Sequence, residues 1–230
     1  MSTDRRSQIV RGAIDLIATQ GIRALTHRAL DTRLELPPGS TSYYFRTRNA
    51  LIAAVADGIT ARSRADFESM FGAAEDQRAP VESRERRESA GPHGAGPDRR
   101  DASARGPSDA VAPQVAREIA DWLTELLTSR RNDLIARHAL IIEVLSDPDP
   151  HARLAGSLFS LEHATELCAR LDAPEPARAA GDFLALLEGL VFDRFAGLRA
   201  DRVVTADELA RPLSQFLVTV NGDYSQPNSE

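Results

Sequence analysis

The sequence predicts an all-α protein, with a small N-terminal domain of three short helices followed by a larger helical domain. Apolar residues recur at spacings of three and four in each apolar segment, which is the period of a helix buried on one face. No segment alternates between apolar and polar residues as a half-buried strand does. Proline and glycine fall between the periodic segments and mark the ends of the helices.

The charge of the chain is distributed unevenly along its length. Its 230 residues are 42% hydrophobic, which is enough for a substantial core, and the net charge is -6. Residues 1–64 carry ten arginines against five acidic residues, whereas the remainder carries eighteen arginines against twenty-nine. An acidic protein with a basic front segment is typical of one that binds phosphates with that segment.

Two classes of protein are disfavoured. The single cysteine, Cys168, excludes an internal disulfide and a metal site with several cysteine ligands. No apolar run approaches the roughly 20 residues that span a bilayer, and the first residues lack the apolar stretch of a secretory signal. We therefore expect a cytoplasmic protein that does not associate with a membrane.

Four helices are predicted in the front part of the chain. The first covers residues 7–21, and Thr26 caps a second helix over residues 27–36. The two prolines that follow must end the second helix, because proline lacks a backbone N–H donor and restricts the residue before it. A third short helix capped by Gly39 or Ser40 and a fourth, longer helix over residues 49–71 come next.

Residues 72–112 contain no aromatic residue and are crowded with glycine, proline, serine and mixed charge. Such a composition cannot bury enough apolar surface to offset ordering costs of about 1 to 2 kcal/mol per residue. We expect a disordered loop or linker there. The apolar periodicity then resumes and predicts helices over residues 113–128, 133–145, 151–171, 177–198 and 208–220.

The stretch LPPGSTSYYFRTR, residues 36–48, has the composition of a contact surface. Free backbone N–H groups at a helix N-terminus attract phosphate, and short hydroxyl side chains let a helix enter the major groove deeply. Two short helices joined by a tight turn, the second carrying hydroxyls, tyrosines and arginines, are typical of a helix-turn-helix that reads DNA. The alternative is a capped surface turn with one tyrosine packed inside.

Residues 5–64 resemble the DNA-binding domain of the TetR family of bacterial transcription regulators. The matching stretches are IVRGAIDLIATQGIRALTHRAL and PPGSTSYYFRTRNALIAAV. The family ends its recognition helix in a Tyr-x-Tyr-Phe run, here Ser42-Tyr43-Tyr44-Phe45, and a basic residue that opens the next helix follows. The resemblance implies that Tyr44 and Arg48 contact the phosphate backbone and that Phe45 packs into the domain core.

The resemblance also covers the second helix, with some departures. It implies that Thr26 and Arg28 face the DNA backbone, but serine and tyrosine replace tyrosine and histidine at positions 42 and 43, so base preference does not transfer. Glu35 stands where the family has glycine; either it adopts a positive φ at a cost of about 1 kcal/mol, or the Pro-Pro sequence resets the turn. The expected DNA-contacting residues are Thr26, His27, Arg28, Ser40, Thr41, Ser42, Tyr43, Tyr44, Arg46 and Arg48.

The last two predicted helices resemble those through which such regulators dimerise. Their apolar residues can pair with two-fold copies as a four-helix bundle; a monomeric core is the alternative. One short recognition helix reads few bases, so a homodimer would place two readers roughly 34 Å apart on palindromic double-stranded DNA. The expected interface residues are Phe183, Leu184, Leu187, Val191, Leu213, Phe216, Leu217 and Val220.

Such regulators usually carry a ligand cavity among the middle helices of the rear domain. Large apolar side chains with one polar tip give a ligand both shape and orientation, although each also suits an ordinary core. The implied function is a repressor that an unknown small-molecule effector releases from a palindromic operator, by preferring a conformation with wrongly spaced readers. The expected ligand-lining residues are Trp122, His138, Phe159 and His163.

Two alternatives remain at the level of sequence. One is a DNA-binding regulator without a ligand, controlled by a protein partner that docks on residues 72–112. The other, a helical enzyme with a vestigial DNA-binding domain, lacks any nucleophile elbow, P-loop or dinucleotide-binding glycine motif, so we expect neither an enzyme nor a cofactor. We also expect no metal, because Glu162, His163 and Glu166 have no second histidine nearby.

These expectations divide the chain into five parts. They are a helix-turn-helix DNA-binding domain over residues 1–48, a connecting helix over 49–71, a disordered loop or linker over 72–112, a helical ligand-binding and dimerisation domain over 113–220, and a flexible tail over 221–230.

Overall fold

The computed structural model describes residues 2–69 and 107–220, and over these ranges it confirms the all-α fold. No helix within them is both apolar and long enough to cross a bilayer. The front module holds α1 (Ser2–Gln20), a 3-10 turn (Ile22–Ala24), α2 (His27–Arg33), α3 (Ser40–Tyr44) and α4 (Arg48–Phe67). The rear part holds α5 (Pro107–Ser129), α6 (Arg131–Glu143), α7 (Pro148–Ala155), α8 (Leu161–Arg170), α9 (Pro176–Phe195) and α10 (Ala206–Thr219).

The segment predicted as one helix over residues 151–171 forms two helices. α7 already begins at Pro148, because proline is tolerated in the first turn of a helix, where a backbone N–H has no intrahelical partner. The chain leaves α7 at Gly156, and the Ser160 side chain accepts a hydrogen bond from the backbone of His163 to start α8. A serine cap therefore breaks a segment whose apolar periodicity is continuous.

α5 begins earlier than the sequence predicts. It opens at Pro107 and continues through Pro113, which lies inside the helix. Residues 107–112 were expected in the linker but are helical, and Ala112 is buried in the rear core, which accounts for the earlier start. The rest of the expected linker and the expected tail, residues 221–230, lie outside the described residues.

Two clusters of buried apolar side chains hold the described helices together. The rear cluster joins α5 with α8, α9 and α10. The front cluster joins α1, α2 and α4, but it also contains Leu140 of α6 and Leu154 of α7. Two helices of the predicted rear domain thus complete the core of the front module.

Charged side chains reinforce this junction. Arg130, between α5 and α6, donates to Asp66 of α4 at 2.6 Å and to Asp133 of α6 at 2.7 Å. Asp133 is buried and also accepts from Arg62 of α4 at 2.7 Å. The front module is therefore joined to α6 by packing and by charge-assisted hydrogen bonds, which are among the stronger polar contacts in proteins.

Candidate nucleic-acid interface and ligand cleft

A tight turn between α2 and α3 sets the geometry of the front module. Glu35 lies in the left-handed region with φ of +52°, and the backbone N–H of Leu36 donates to the carbonyl of Asp31 at 2.8 Å. These features end α2 in the manner usually supplied by a glycine. Of the two alternatives for the turn, the strained glutamate is therefore correct. Gly39, with φ of +90°, then starts α3.

The carboxylate of Asp31 caps α3 from across the turn. It accepts hydrogen bonds from the Gly39 N–H at 2.7 Å, the Thr41 N–H at 2.8 Å and the Thr41 hydroxyl at 2.6 Å. Burial raises the pKa of Asp31, but the hydrogen bonds from Thr41 and Gly39 outweigh it and leave the pKa below its usual value. A buried carboxylate therefore fixes the angle between α2 and α3.

Thr41, which was expected to contact DNA, does not present its side chain to solvent in this conformation. Its side chain has no solvent exposure, and its hydroxyl is occupied by Asp31. Spacing along the chain placed Thr41 among the exposed hydroxyls, but it lies on the inner face of α3. The sequence analysis missed Asp31 as its partner; the signal was an acidic residue between Leu30 and Leu34 on the apolar side of α2.

Four of the expected contact residues lie on the outer side of α3, where Ser42 and Tyr43 are exposed and Ser40 and Tyr44 are half-buried. Tyr43 is 80% exposed, and its ring meets that of Tyr44 edge-on at 5.2 Å between centroids. The hydroxyls of Ser40 and Ser42 donate to backbone carbonyls at 2.6 and 2.9 Å. Their oxygens thus remain available as acceptors, as the amino groups of base edges require.

Residues at the start of α2 flank this surface. Thr26 caps α2 as predicted, because its side chain accepts a hydrogen bond from the backbone N–H of Ala29 at 3.1 Å. Arg28 is exposed. His27 is half-buried and fits a DNA contact less well, because its Nε2 atom is buried and has no hydrogen-bond partner among the described residues.

Arg48 does not lie free for a phosphate, as the resemblance implied. Its guanidinium donates to the carbonyl of Leu25 at 2.7 Å and to that of Ile22 at 3.4 Å, and it pairs with Glu143 of α6 at 3.2 Å. These contacts fasten the 3-10 turn and α6 to the start of α4. Arg46, two residues earlier, is exposed and lies just beyond the end of α3.

Three of the four expected ligand-lining residues come together through a fourth aromatic residue. The ring of Phe67, at the end of α4, stacks on His163 at 4.9 Å and meets Trp122 edge-on at 6.1 Å. Trp122 in turn meets Phe159 at 5.7 Å. The sequence analysis missed Phe67, whose only signal was an aromatic residue near the end of a predicted helix.

A cleft of about 410 Å³ opens beside this cluster, between the end of α4 and α5. Trp122 lines the cleft, and its Nε1 atom is buried without a hydrogen-bond acceptor among the described residues. The residues lining the cleft are Asp66, Ser69, Trp122, Glu125, Leu126, Ser129 and Arg130.

His138 belongs to a different cluster, contrary to expectation. Its ring packs against Phe195 at 4.8 Å and Phe192 at 5.7 Å, both on α9. Its Nδ1 atom lies 2.9 Å from the carbonyl of Leu134, and burial lowers its pKa. His138 lies apart from the other three expected residues because α6 directs its side chain towards α9. The helical spacing within α6 does not show which neighbouring helix a side chain contacts.

Most of the expected dimer residues are buried inside a single chain, so their side chains are not presented to a partner in this conformation. Only Leu184 and Phe216 keep partial exposure. Apolar periodicity identified the buried face of α9 and α10, whereas a partner must contact the opposite face. The six buried residues are Phe183, Leu187, Val191, Leu213, Leu217 and Val220.

The described residues hold no group of three or more histidine, cysteine, aspartate or glutamate side chains placed to bind a metal ion. The fold defines a class of protein: all-helical proteins in which a small front module precedes a larger helical domain. Residues 112–217 match the family model of the tetracycline repressor-like C-terminal domain. No curated protein matches the chain.

Solved structures share the fold over nearly the whole chain. A member of the TetR family from Streptomyces coelicolor is 21% identical with a TM-score of 0.59, covering 93% of this chain and 98% of its own. A TetR-family regulator from Mesorhizobium loti is 14% identical with a TM-score of 0.62, covering 94% and 95%. The multidrug binding protein EbrR complexed with malachite green is 18% identical with a TM-score of 0.59, covering 93% and 98%.

The rear part of the chain is therefore similar to the tetracycline repressor-like C-terminal domain, and the chain as a whole shares its fold with members of the TetR family. The solved structures with this fold include transcriptional regulators, among them the one from Mesorhizobium loti.

Proposed function

We propose that the protein is a cytoplasmic, sequence-specific DNA-binding repressor that acts as a homodimer and is released from a palindromic operator by a small molecule. One observation carries the DNA-binding part of the proposal. α3 is fixed from within by Asp31, while Tyr43, Ser42 and Arg46 project outward from it and from the turn that follows. A fixed short helix with an exposed polar and aromatic face suits the major groove.

Dimerisation is proposed through the exposed face of α9 in place of the buried one. Gly181 and Gly189 lie on that face, and no atom of the described residues lies near the position of a Cβ atom, so packing within the described part of the chain does not explain them. Glycine inside a helix costs roughly 0.5 to 1 kcal/mol relative to alanine, and a close second helix would offset this cost. Ala185 lies between them, and Phe192, 47% exposed, continues the same face.

A bulky side chain on this face tests the proposed dimer. We expect Gly189→Leu to shift the protein from dimer to monomer in sedimentation velocity experiments, because the added side chain holds the two helices apart. Ala169→Leu adds a similar side chain at an exposed position on α8 and should leave the dimer intact. A Gly189→Leu variant that remains fully dimeric would place the interface elsewhere.

The small-molecule site is proposed at the cleft beside Trp122. The cleft lies between α4, which leads to the DNA-reading module, and α5, so a ligand there contacts both parts of the chain. EbrR, which has the same fold, is a multidrug binding protein. Screening a panel of metabolites and drugs should find a ligand that raises the unfolding temperature of the wild type but not that of Trp122→Phe. If no compound in the panel shifts the unfolding temperature, control by a protein partner is favoured instead.

Selection of bound fragments from random and genomic DNA tests the DNA-binding function. The expected result is a palindromic sequence with half-sites about one DNA turn apart, roughly 34 Å, bound far more tightly than scrambled DNA. Ser42→Ala should change which sequence is preferred. Binding to every duplex with equal strength would contradict the proposal.

A further inference from the structure

Arg6, on the first turns of α1, contacts the end of α3 in two ways. Its Nη1 atom donates a hydrogen bond to the backbone carbonyl of Tyr44 at 3.3 Å. Its guanidinium carbon also lies 4.7 Å from the centroid of the Phe45 ring, within the range of a cation–π contact. Neither composition nor helical spacing points to this pairing, because the two partners are far apart in sequence.

α3 needs such support because it spans only Ser40–Tyr44. Isolated helices shorter than about 12 to 15 residues are marginal in water, so outside contacts decide the direction of this one. Asp31 holds its N-terminal end through three hydrogen bonds. At its C-terminal end the last carbonyls lack intrahelical partners, and an arginine there satisfies one of them and favours the helix dipole.

We infer that Arg6 is a positioning residue for sequence reading, which fixes the C-terminal end of α3 and hence the direction of Tyr43 and Tyr44. This inference rests on the proposed DNA-binding function. Arg6 is also exposed, and an exposed arginine can act simply as a phosphate contact. The two roles have different consequences: a phosphate contact adds affinity for every duplex equally, whereas a positioning contact matters for the operator alone.

The neighbouring Arg5 provides a matched control. It is exposed, lies on the same helix and donates only to Gln8 at 2.8 Å among the described contacts. Arg5→Ala and Arg6→Ala therefore remove the same charge from nearly the same place, but only the second removes the contacts to α3.

The experiment measures the affinity of each variant for the operator selected by the wild-type protein and for a scrambled duplex, over a series of salt concentrations. We expect Arg6→Ala to reduce the operator-to-scrambled ratio by about fivefold relative to Arg5→Ala, as loss of one hydrogen bond and one cation–π contact suggests. The salt slope should fall by a similar amount in both variants. Equal ratios in the two variants would overturn the inference.

Arg6→Lys keeps the charge but replaces the planar guanidinium with a compact ammonium. The operator-to-scrambled affinity ratio of Arg6→Lys should lie below that of the wild type. A ratio equal to that of the wild type would again overturn the positioning role. This variant decides the question if thermal unfolding shows that Arg6→Ala is not folded. If the wild-type protein binds every duplex with equal affinity, the proposed function fails and this inference fails with it. If the wild-type protein and the Arg6 variants prefer the operator equally, only this inference fails.

Discussion

The turn between α2 and α3 depends on a single ionised group, the buried carboxylate of Asp31. Its folded pKa is lowered, since the hydrogen bonds from Thr41 and Gly39 favour the charged form. The stability that it contributes is therefore present above the pKa of an unfolded aspartate, about 3.9, and is lost as the pH falls through the lower folded value.

We expect Asp31→Asn to lower the free energy of unfolding by about 1 to 3 kcal/mol at pH 7, because an amide cannot accept from all three donors. The difference from the wild type should begin to shrink below about pH 4, where Asp31 of the unfolded wild type takes up a proton, and should vanish as the pH falls through the lower folded pKa. Chemical denaturation at several pH values measures both effects. The exposed Asp201 is the control, and Asp201→Asn should change little; a cost for Asp31→Asn that persists unchanged at low pH would contradict the assigned charge state.

At the level of a single helix, two arginines at the start of α4 have different surroundings. Arg46 is exposed just before the helix, whereas Arg48 is bound to two backbone carbonyls and to Glu143. The first is free to neutralise a phosphate, and the second stabilises the junction with α6.

We therefore expect the two alanine variants to differ in kind. Arg46→Ala should reduce the salt slope of DNA binding by about 0.9, which corresponds to one phosphate contact. Arg48→Ala should lower the free energy of unfolding by about 1 to 2 kcal/mol through its lost charge-assisted hydrogen bonds. Both variants can be checked by measuring DNA binding at several salt concentrations and unfolding in denaturant. A reduced salt slope for Arg48→Ala with unchanged stability would show that Arg48 contacts a phosphate.

The helices that the sequence predicted well are those with strong local signals. Thr26 caps α2, and apolar spacing identified α1, α4 and α6, since caps and periodicity act within a few residues. The inward turn of Arg48 could not be predicted, because Glu143 is distant in sequence. The buried faces of α9 and α10 were read as a dimer surface because apolar periodicity shows that a face is covered but not by what.

At the scale of the whole molecule, Arg137 of α6 connects parts that lie far apart in sequence. It is buried and donates to both carboxylate oxygens of Glu188 on α9, at 2.6 and 2.9 Å. It also donates to the carbonyls of Leu154 and Ala155 at the end of α7, each at 3.0 Å. One side chain thus joins the helix of the proposed dimer face to a helix packed into the front core.

We expect Arg137→Ala to lower the free energy of unfolding by about 3 kcal/mol, because removing one partner leaves buried acceptors unpaired. Arg178 forms an exposed pair with Glu175 on the surface, and Arg178→Ala should cost at most about 1 kcal/mol. Denaturant unfolding of both variants measures the contrast. Similar small costs for the two would mean that the connection through Arg137 is not a stabilising one.

The presence of Leu140 and Leu154 in the front cluster restricts how this protein can be recombined with others. A fragment cut after α4 would expose the apolar faces of α1 and α4 to water, and we expect it to aggregate instead of folding. Hybrid sensors made by grafting a foreign effector domain onto these N-terminal helices would therefore need to carry α6 and α7 across with them, even though both follow the cut in sequence.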